Sequence, residues 1–355
     1  MTSADDRSDN IRMIRESAAA IVPPGDLARI RRLRYRAPGF DRAVWREICE
    51  MGWPGLRLAE AAGGSGLGML EYCALAEECG AGLLPEPLIA CAAVAQVLRG
   101  DRLAALLAGD AIVLPAWQEA VNSLATSGNT VMRDGRLSGR KLFVPMAAGA
   151  DAFLVTTAQG LALVERTAPG VSLSGQDTQD GGHVAALAFD RAPAVPIPGE
   201  FAAAMEEATL ATAAYLLGVM ERAFDMTLDY LRMRQQFGQP IGSFQALQHR
   251  AADLKIQIAL TRASTEAASV TLETVAEPAV RQAAVSRAKA RAAEAAVLVT
   301  REAVQMHGAI GYTDEYDAGL YLRKAMVLAS QYGSASVHRA RFAAVAADED
   351  EGQDA

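Results

Sequence analysis

Residues 231–254 read LRMRQQFGQPIGSFQALQHRAADL. A helical pattern runs into this stretch, breaks at Phe237-Gly238-Gln239-Pro240 and restarts at Ser243. Glycine and proline account for the stop, since neither is tolerated well in a helix interior. They do not account for the arginine, two glutamines and phenylalanine beside them. On spacing alone, the break is a helix C-terminus with a surface arginine.

The helical pattern extends from the break in both directions. One helix is expected from about Phe201 to Gln235 and a second from about Ser243 to Val275. Glu277-Pro278 starts a third, with proline at a permitted first-turn position, running to about Met306. HGAIGY interrupts the chain, and a fourth is expected from about Asp317 to Ala346. Long helices with short loops predict an antiparallel four-helix bundle over residues 201–346. The tail over 347–355, ending DEDEGQDA, is acidic and expected to be disordered.

Upstream, residues 110–200 change character. AIVLPA, AVNSLAT, DAFLVTT, GLALVER and VAALAFD are short β-like runs. Asp134-Gly135 between them is a hairpin signal. A small β domain, barrel or sandwich, is expected. Residues 1–109 return to helix. In FDRAVWREICEMGW, Phe40, Val44, Ile48 and Met51 fall on one stripe. MLEYCALAEECGAGLL is a largely apolar helix ended by Pro85 and Pro87. The fold class is therefore a multi-domain α and β chain: helical domain, β domain, four-helix bundle.

Composition narrows the function. At 355 residues the chain exceeds one ordinary core, and 51% hydrophobic content supplies a large interior. A net charge of −8 argues against a generic nucleic-acid surface. No run of eighteen apolar residues exists, so no membrane helix is expected. The polar N-terminus lacks a signal-peptide core, so the cytoplasm is the default location. Cys49, Cys73, Cys79 and Cys91 form no CxxC pair and read as ordinary buried thiols.

A helical bundle raises the question of a di-iron site, which needs Glu-x-x-His pairs. Asp180, Ala246, Val304 and Ala335 stand three residues before the four histidines, so that reading fails on residue identity. No metal is expected. The glycine-rich Gly63–Gly68 stretch follows no strand and reads as a loop between helices. Two bundle loops remain: RMRQQFG, and QMHGAIGY with Gln305, Gly308 and Gly311. Arginine offers fixed donors to phosphate, glycine lets backbone approach a ligand, and Phe237 offers a flat apolar face.

The string R-x-x-F-G-x-P-I-G-x-F-Q-x-L-x-H-x-x-A-D, Arg234 through Asp253, closely resembles the acyl-CoA dehydrogenase family. So do QMHGAIGYT at 305–313 and LYLRKA at 320–325. MGWPGLRLAEAAGGSGLGMLEY and DGRLSGRKLFVPMAAGADAFLV resemble that family's first helical domain and its β domain. The likeness covers roughly residues 25–344, in order. It implies α,β-dehydrogenation of an acyl-CoA thioester with FAD as hydride acceptor. It also implies a dimer or tetramer whose neighbouring subunit completes each flavin site, and an electron-transfer flavoprotein as acceptor. By position, Arg234 and Gln236 would meet the FAD diphosphate, with Phe237 and Gln245 beside the cofactor. Gln305, Met306, His307, Gly308 and Ala309 would form a second flavin loop across the dimer.

Several positions depart from the family. Its base glutamate precedes a glycine near the end of the fourth helix; here Tyr332 precedes Gly333. A phenol is a poor general base near neutral pH. The family's other base position, a Glu-Arg pair early in the first bundle helix, falls on Ala208 and Thr209. Glu206 and Glu207 are adjacent, but one residue turns a helix side chain by about 100°. The accompanying arginine is missing from that stretch. The flavin-facing Trp-Ile-Thr-Asn string reads Phe143-Val144-Pro145-Met146. A homo- or hetero-oligomer is expected, and three readings follow: a dehydrogenase with a displaced base, Glu207; the non-catalytic subunit of a heteromer, lending Arg234 and the 305–309 loop to FAD held mainly by a sister subunit; or a scaffold that binds neither flavin nor acyl-CoA.

Overall fold

The computed structural model describes the backbone of residues 4–126 and 128–353, and the side chains of residues 6–126 and 128–345. Contacts divide the chain into two compact units. One holds residues 29–72 and 85–208; the other holds 1–28, 73–84 and 209–355.

The first unit contains α2 (Ala28–Leu33) from Arg29 onward, α3 (Arg42–Glu50), α5 (Leu88–Ala95), α6 (Gly100–Leu107) and the β region; α4 (Met69–Ala81) begins in it. Asp41 caps α3, its carboxylate accepting the Ala43 N–H at 2.8 Å. The buried face of α3 is Trp45, Ile48 and Cys49. Met51, expected on that stripe, is exposed, because the helix ends at Glu50. The glycine-rich loop is a packed turn: a Cβ at Gly64 would lie 2.2 Å from the Leu58 carbonyl.

The β region has eight strands: β1 (Val113–Ala116), β2 (Val131–Arg133), β3 (Arg136–Pro145), β4 (Ala152–Thr157), β5 (Gly160–Glu165), β6 (Val171–Asp177), β7 (His183–Pro193) and β8 (Val195–Ile197). Among the described residues they form two four-stranded sheets, β1-β4-β5-β8 and β2-β3-β7-β6, and no single closed barrel. β1 and β4 pair in parallel, and the other pairs of these two sheets are antiparallel among the described residues. Asp134 and Gly135, both at positive φ, make the two-residue turn between β2 and β3.

AVNSLAT, expected as a strand, is a loop. Glu119, just before it, accepts the N–H groups of Asn129 and Thr130, just after it. Lys141 donates to Glu119 at 2.7 Å, to the Trp117 carbonyl at 3.1 Å and to Thr156 at 3.1 Å. Burial pushes the Glu119 carboxyl up, but these donors outweigh it and hold the group at about 2. The segment's two ends are thus tied together, which an extended strand cannot satisfy.

The second unit is the bundle: α7 (Ala202–Met233) from Thr209 onward, α8 (Gln245–Thr274), α9 (Pro278–His307), α10 (Ala309–Tyr312), α11 (Ala318–Leu328) and α12 (Ala335–Gln353). With them pack α1 (Ala4–Ile21) and the α4 residues from Cys73. Gly218 of α7 allows backbone contact there: a Cβ on it would lie 1.9 Å from the Glu77 carbonyl. Arg262 of α8 bridges Glu77 and Glu221, and Arg15 of α1 also reaches Glu77 at 2.7 Å. Glu277 caps α9 and Pro278 opens it, as the sequence predicts.

The expected fourth helix is two helices. Tyr332 and Gly333, at φ 55° and 104°, break it between α11 and α12. The expected disordered tail is helical through Gln353, and its last two residues lie outside the described residues. All four cysteines are buried thiols.

Candidate cofactor groove and base positions

α7 ends at Met233, and the chain turns at once through a minimal hairpin, β9 (Gln235–Gln236) and β10 (Gln239–Pro240). Phe237 and Gly238 occupy its two corner positions at φ 54° and 78°. Two positive φ values in sequence make the turn type that matches strand twist. Glycine adopts this freely; phenylalanine does so at a cost of roughly 1–3 kcal/mol. The hairpin closes with Ile241 N–H donating to the Arg234 carbonyl at 2.8 Å. The Phe237 ring meets Phe244 edge-on at 6.0 Å and is 91% exposed.

The second loop leaves α9 at Gly308, whose φ 66° and ψ −141° mirror the extended region. A Cβ there would meet open space. Backbone is therefore bare at this point. Between the two loops lies an open groove of about 570 Å³. Arg234, Gln236, Gln305, Met306, His307, Gly308 and Ala309 all line it. Phe237 and Gln245 do not; Phe237 projects into solvent and Gln245 is exposed at the start of α8. Tyr230 and Arg250 also line the groove and were not singled out by sequence. Arg250 lies sixteen positions after Arg234 and one turn into α8, a spacing that becomes meaningful only once the hairpin folds back.

Arg234 has no carboxylate partner among the described residues. Arg250 is held only loosely, 3.4 Å from Glu302. The groove thus offers two guanidinium groups, side-chain amides and bare glycine backbone. That donor set fits a diphosphate-bearing cofactor such as FAD.

His307, expected in the second flavin loop, lines the groove wall. It is 2% exposed, and both ring nitrogens are engaged within the protein, by Ala303 and Tyr316.

The base positions are both interior. Tyr332 is 5% exposed, and its carbonyl accepts from His338 Nε2 at 2.8 Å. The next carbonyl, of Gly333, accepts from Lys289 Nζ at 2.9 Å. Ala208 and Thr209 are buried and carry no carboxylate. Glu207 does meet an arginine, contrary to the reading of its own stretch. Arg57 donates from Nη2 to Oε1 at 2.8 Å and from Nε to Oε2 at 3.1 Å. Gln96 adds a donor to Oε2 at 2.8 Å. Arg57 stands far away in sequence, so no local pattern could reveal it. A carboxylate engaged by these donors is a salt-bridge anchor in this structure. Service as a base would require their release.

Two family models match the chain: acyl-CoA dehydrogenase, N-terminal domain, over residues 8–99, and acyl-CoA dehydrogenase, C-terminal domain, over residues 201–347. The chain belongs to the acyl-CoA dehydrogenase family. It is similar to acyl-CoA dehydrogenase IpdE2 of Mycolicibacterium smegmatis, at 32% identity across 90% of this chain and 93% of that one. Acyl-CoA dehydrogenase FadE27 of Mycobacterium tuberculosis is 31% identical across 85% of this chain and 86% of its own. The Tcur3481–Tcur3483 steroid ACAD superposes with a TM-score of 0.88 at 29% identity, over 97% of this chain and 99% of that one. The ChsE4–ChsE5 complex from Mycobacterium tuberculosis superposes at 0.84 with 28% identity, over 98% of each chain.

Proposed function

We propose that this chain is a subunit of an oligomeric acyl-CoA dehydrogenase and completes the FAD site of a partner subunit from the bundle side. The observation that carries this reading is an asymmetry. The cofactor-loop residues converge on an open groove, while Tyr332 and Ala208, at the family's base positions, are buried and carry no carboxylate, and the nearby Glu207 is held by Arg57. Similarity to two structures named as protein pairs supports a heteromer.

In this reading Arg234, Gln236 and Arg250 would hold the diphosphate of FAD, with the bare backbone at Gly308 as a further donor. Phe237, in a strained corner and almost wholly exposed, is placed to touch a neighbouring molecule. FAD, when bound, supplies the hydride acceptor for α,β-dehydrogenation of the acyl-CoA. The α proton goes to a carboxylate of the partner subunit. An electron-transfer flavoprotein then receives the electrons.

The test is the visible spectrum of the protein expressed alone and with a sister subunit. A colourless lone chain that gains flavin only in the complex supports the proposal. Flavin in the lone chain, bleached by an acyl-CoA, overturns it in favour of a self-sufficient dehydrogenase. No flavin under either condition favours a scaffold.

A further inference from the structure

His307 lines the groove yet offers it no free ring nitrogen. Its Nδ1 lies 2.7 Å from the Ala303 carbonyl oxygen. A carbonyl only accepts, so Nδ1 carries the proton. In a neutral ring Nε2 is then an acceptor, and the Tyr316 hydroxyl donates to it at 3.1 Å. The imidazole is flanked by Tyr230 and Tyr316, each with its ring centroid 4.6 Å away. Tyr230 belongs to α7, and Tyr316 to the loop between α10 and α11. Three segments therefore meet on one ring. Gly311 seats the loop directly on it: a Cβ there would lie 3.0 Å from His307 Cβ and 2.5 Å from the Val304 carbonyl.

We propose that His307 is a positioning residue of the groove and not a ligand of what binds there. As a neutral Nδ1–H imidazole it braces the Gly308–Gly311 turn against Tyr230 and Tyr316, and so sets the backbone that faces the diphosphate. The identity of that ligand rests on the function proposed above. The brace itself is a property of the chain alone.

The two roles have opposite pH dependence. A histidine touching a diphosphate would bind it more tightly when protonated. A brace weakens on protonation, because the charge falls on a buried ring and the Tyr316 hydroxyl must turn from donor to acceptor. Burial lowers the ring's pKa below its ordinary value of 6.5, against the pull of the Ala303 and Met226 carbonyls. From α7, Arg222 and Asp229 act on Tyr316, as does Asp317 in the loop; Arg234 and Arg250, with Glu302, line or flank the groove.

The experiment uses the full chain in its flavin-bearing complex, as wild type and as Tyr316→Phe. It reads flavin affinity from pH 8 to pH 5, the imidazole ¹⁵N signals, and amide exchange at residues 309–311. The expected results are an Nδ1–H ring, faster exchange in Tyr316→Phe, and flavin binding weakened about three- to tenfold, the size of one lost neutral hydrogen bond. Wild-type binding should also weaken on acidification, by more than in the variant. Comparing the two separates this ring from His249, which is exposed on α8. An Nε2–H ring, unchanged exchange, or unchanged affinity in the variant overturns the brace. A wild-type complex that takes no flavin overturns the proposed function, while the ring's tautomer and the amide exchange still decide the brace.

Discussion

Arg57 and Glu207 lie 150 residues apart and meet at two points, Nη2 to Oε1 at 2.8 Å and Nε to Oε2 at 3.1 Å. The pair is mostly shielded from water, with side chains 19% and 11% exposed. A two-point guanidinium contact fixes the carboxylate's plane as well as its position. Glu207 therefore anchors the start of α7 to the segment before the glycine-rich loop.

If Glu207 is an anchor, Glu207→Gln leaves a shielded guanidinium without its charge partner. The variant should lose about 3 kcal/mol of stability, as broken buried pairs do. Flavin reduction by acyl-CoA in the complex should be unchanged. Stopped-flow bleaching and urea unfolding read the two effects. Abolished bleaching with flavin still bound would make Glu207 the base.

If Arg234 holds the FAD diphosphate, Arg234→Ala removes a charge-assisted contact worth roughly 1.5–3 kcal/mol. Flavin affinity of the complex should fall about tenfold to a hundredfold, and its salt dependence should flatten. Arg250→Gln should have a smaller effect, because that side chain must first leave Glu302. Equilibrium titration at two salt concentrations checks both, and full affinity in Arg234→Ala would contradict the groove assignment.

Phe237→Asn separates folding from assembly. Asparagine adopts the left-handed corner more readily than phenylalanine, so the lone chain should gain up to about 1 kcal/mol. The complex should lose affinity if this ring, 91% exposed and touching Phe244 edge-on, is covered by a partner. Denaturation of the lone chain and sedimentation of the complex give the two signs. A variant that assembles as well as wild type would argue against a partner contact at Phe237.

Lys289 donates to the carbonyls of Leu328, Ala329 and Gly333 at 3.3, 3.1 and 2.9 Å, with no carboxylate among these partners. Burial pushes its pKa down from 10.5 to about 7. Between those values the unfolded chain binds one proton more than the folded chain, so this group's contribution becomes more favourable as pH rises. The cost of charging it is fully present below about 7. Stability of wild type relative to Lys289→Met should rise between pH 7.5 and 9.5 by up to about 1.4 kcal/mol per pH unit. Parallel unfolding curves would test this; a flat difference would mean that the three carbonyls at the end of α11 keep the amine charged throughout.

Local signals in the chain were read where one residue's backbone chemistry decides the outcome. Asp134-Gly135 makes a two-residue turn, Pro278 opens α9, and Gly238 takes a corner of the hairpin that follows α7. The break between α11 and α12 had the same kind of signal, Tyr332-Gly333-Ser334, but was submerged in a long apolar periodicity. AVNSLAT misled because its β-like composition says nothing of the Glu119 and Lys141 contacts that tie its ends together.

The candidate site divides in the same way. Arg234, Gln236 and the 305–309 loop stand in two short strings whose residue types suit a diphosphate, and sequence placed them without any contact being known. Arg250 joins them only because the hairpin folds α8 back beside the end of α7. His307, expected in the second flavin loop, has both of its nitrogens taken by Ala303 and Tyr316, residues that no local pattern pairs with it. Sequence alone determined the helical–β–helical order and the family, since periodicity, turn residues and contiguous motifs are local properties of the chain. Tertiary structure alone decided that Glu207 is clasped and Tyr332 is buried. The clasp on Glu207 depends on Arg57 and Gln96, and proximity between distant residues exists only after the chain has folded.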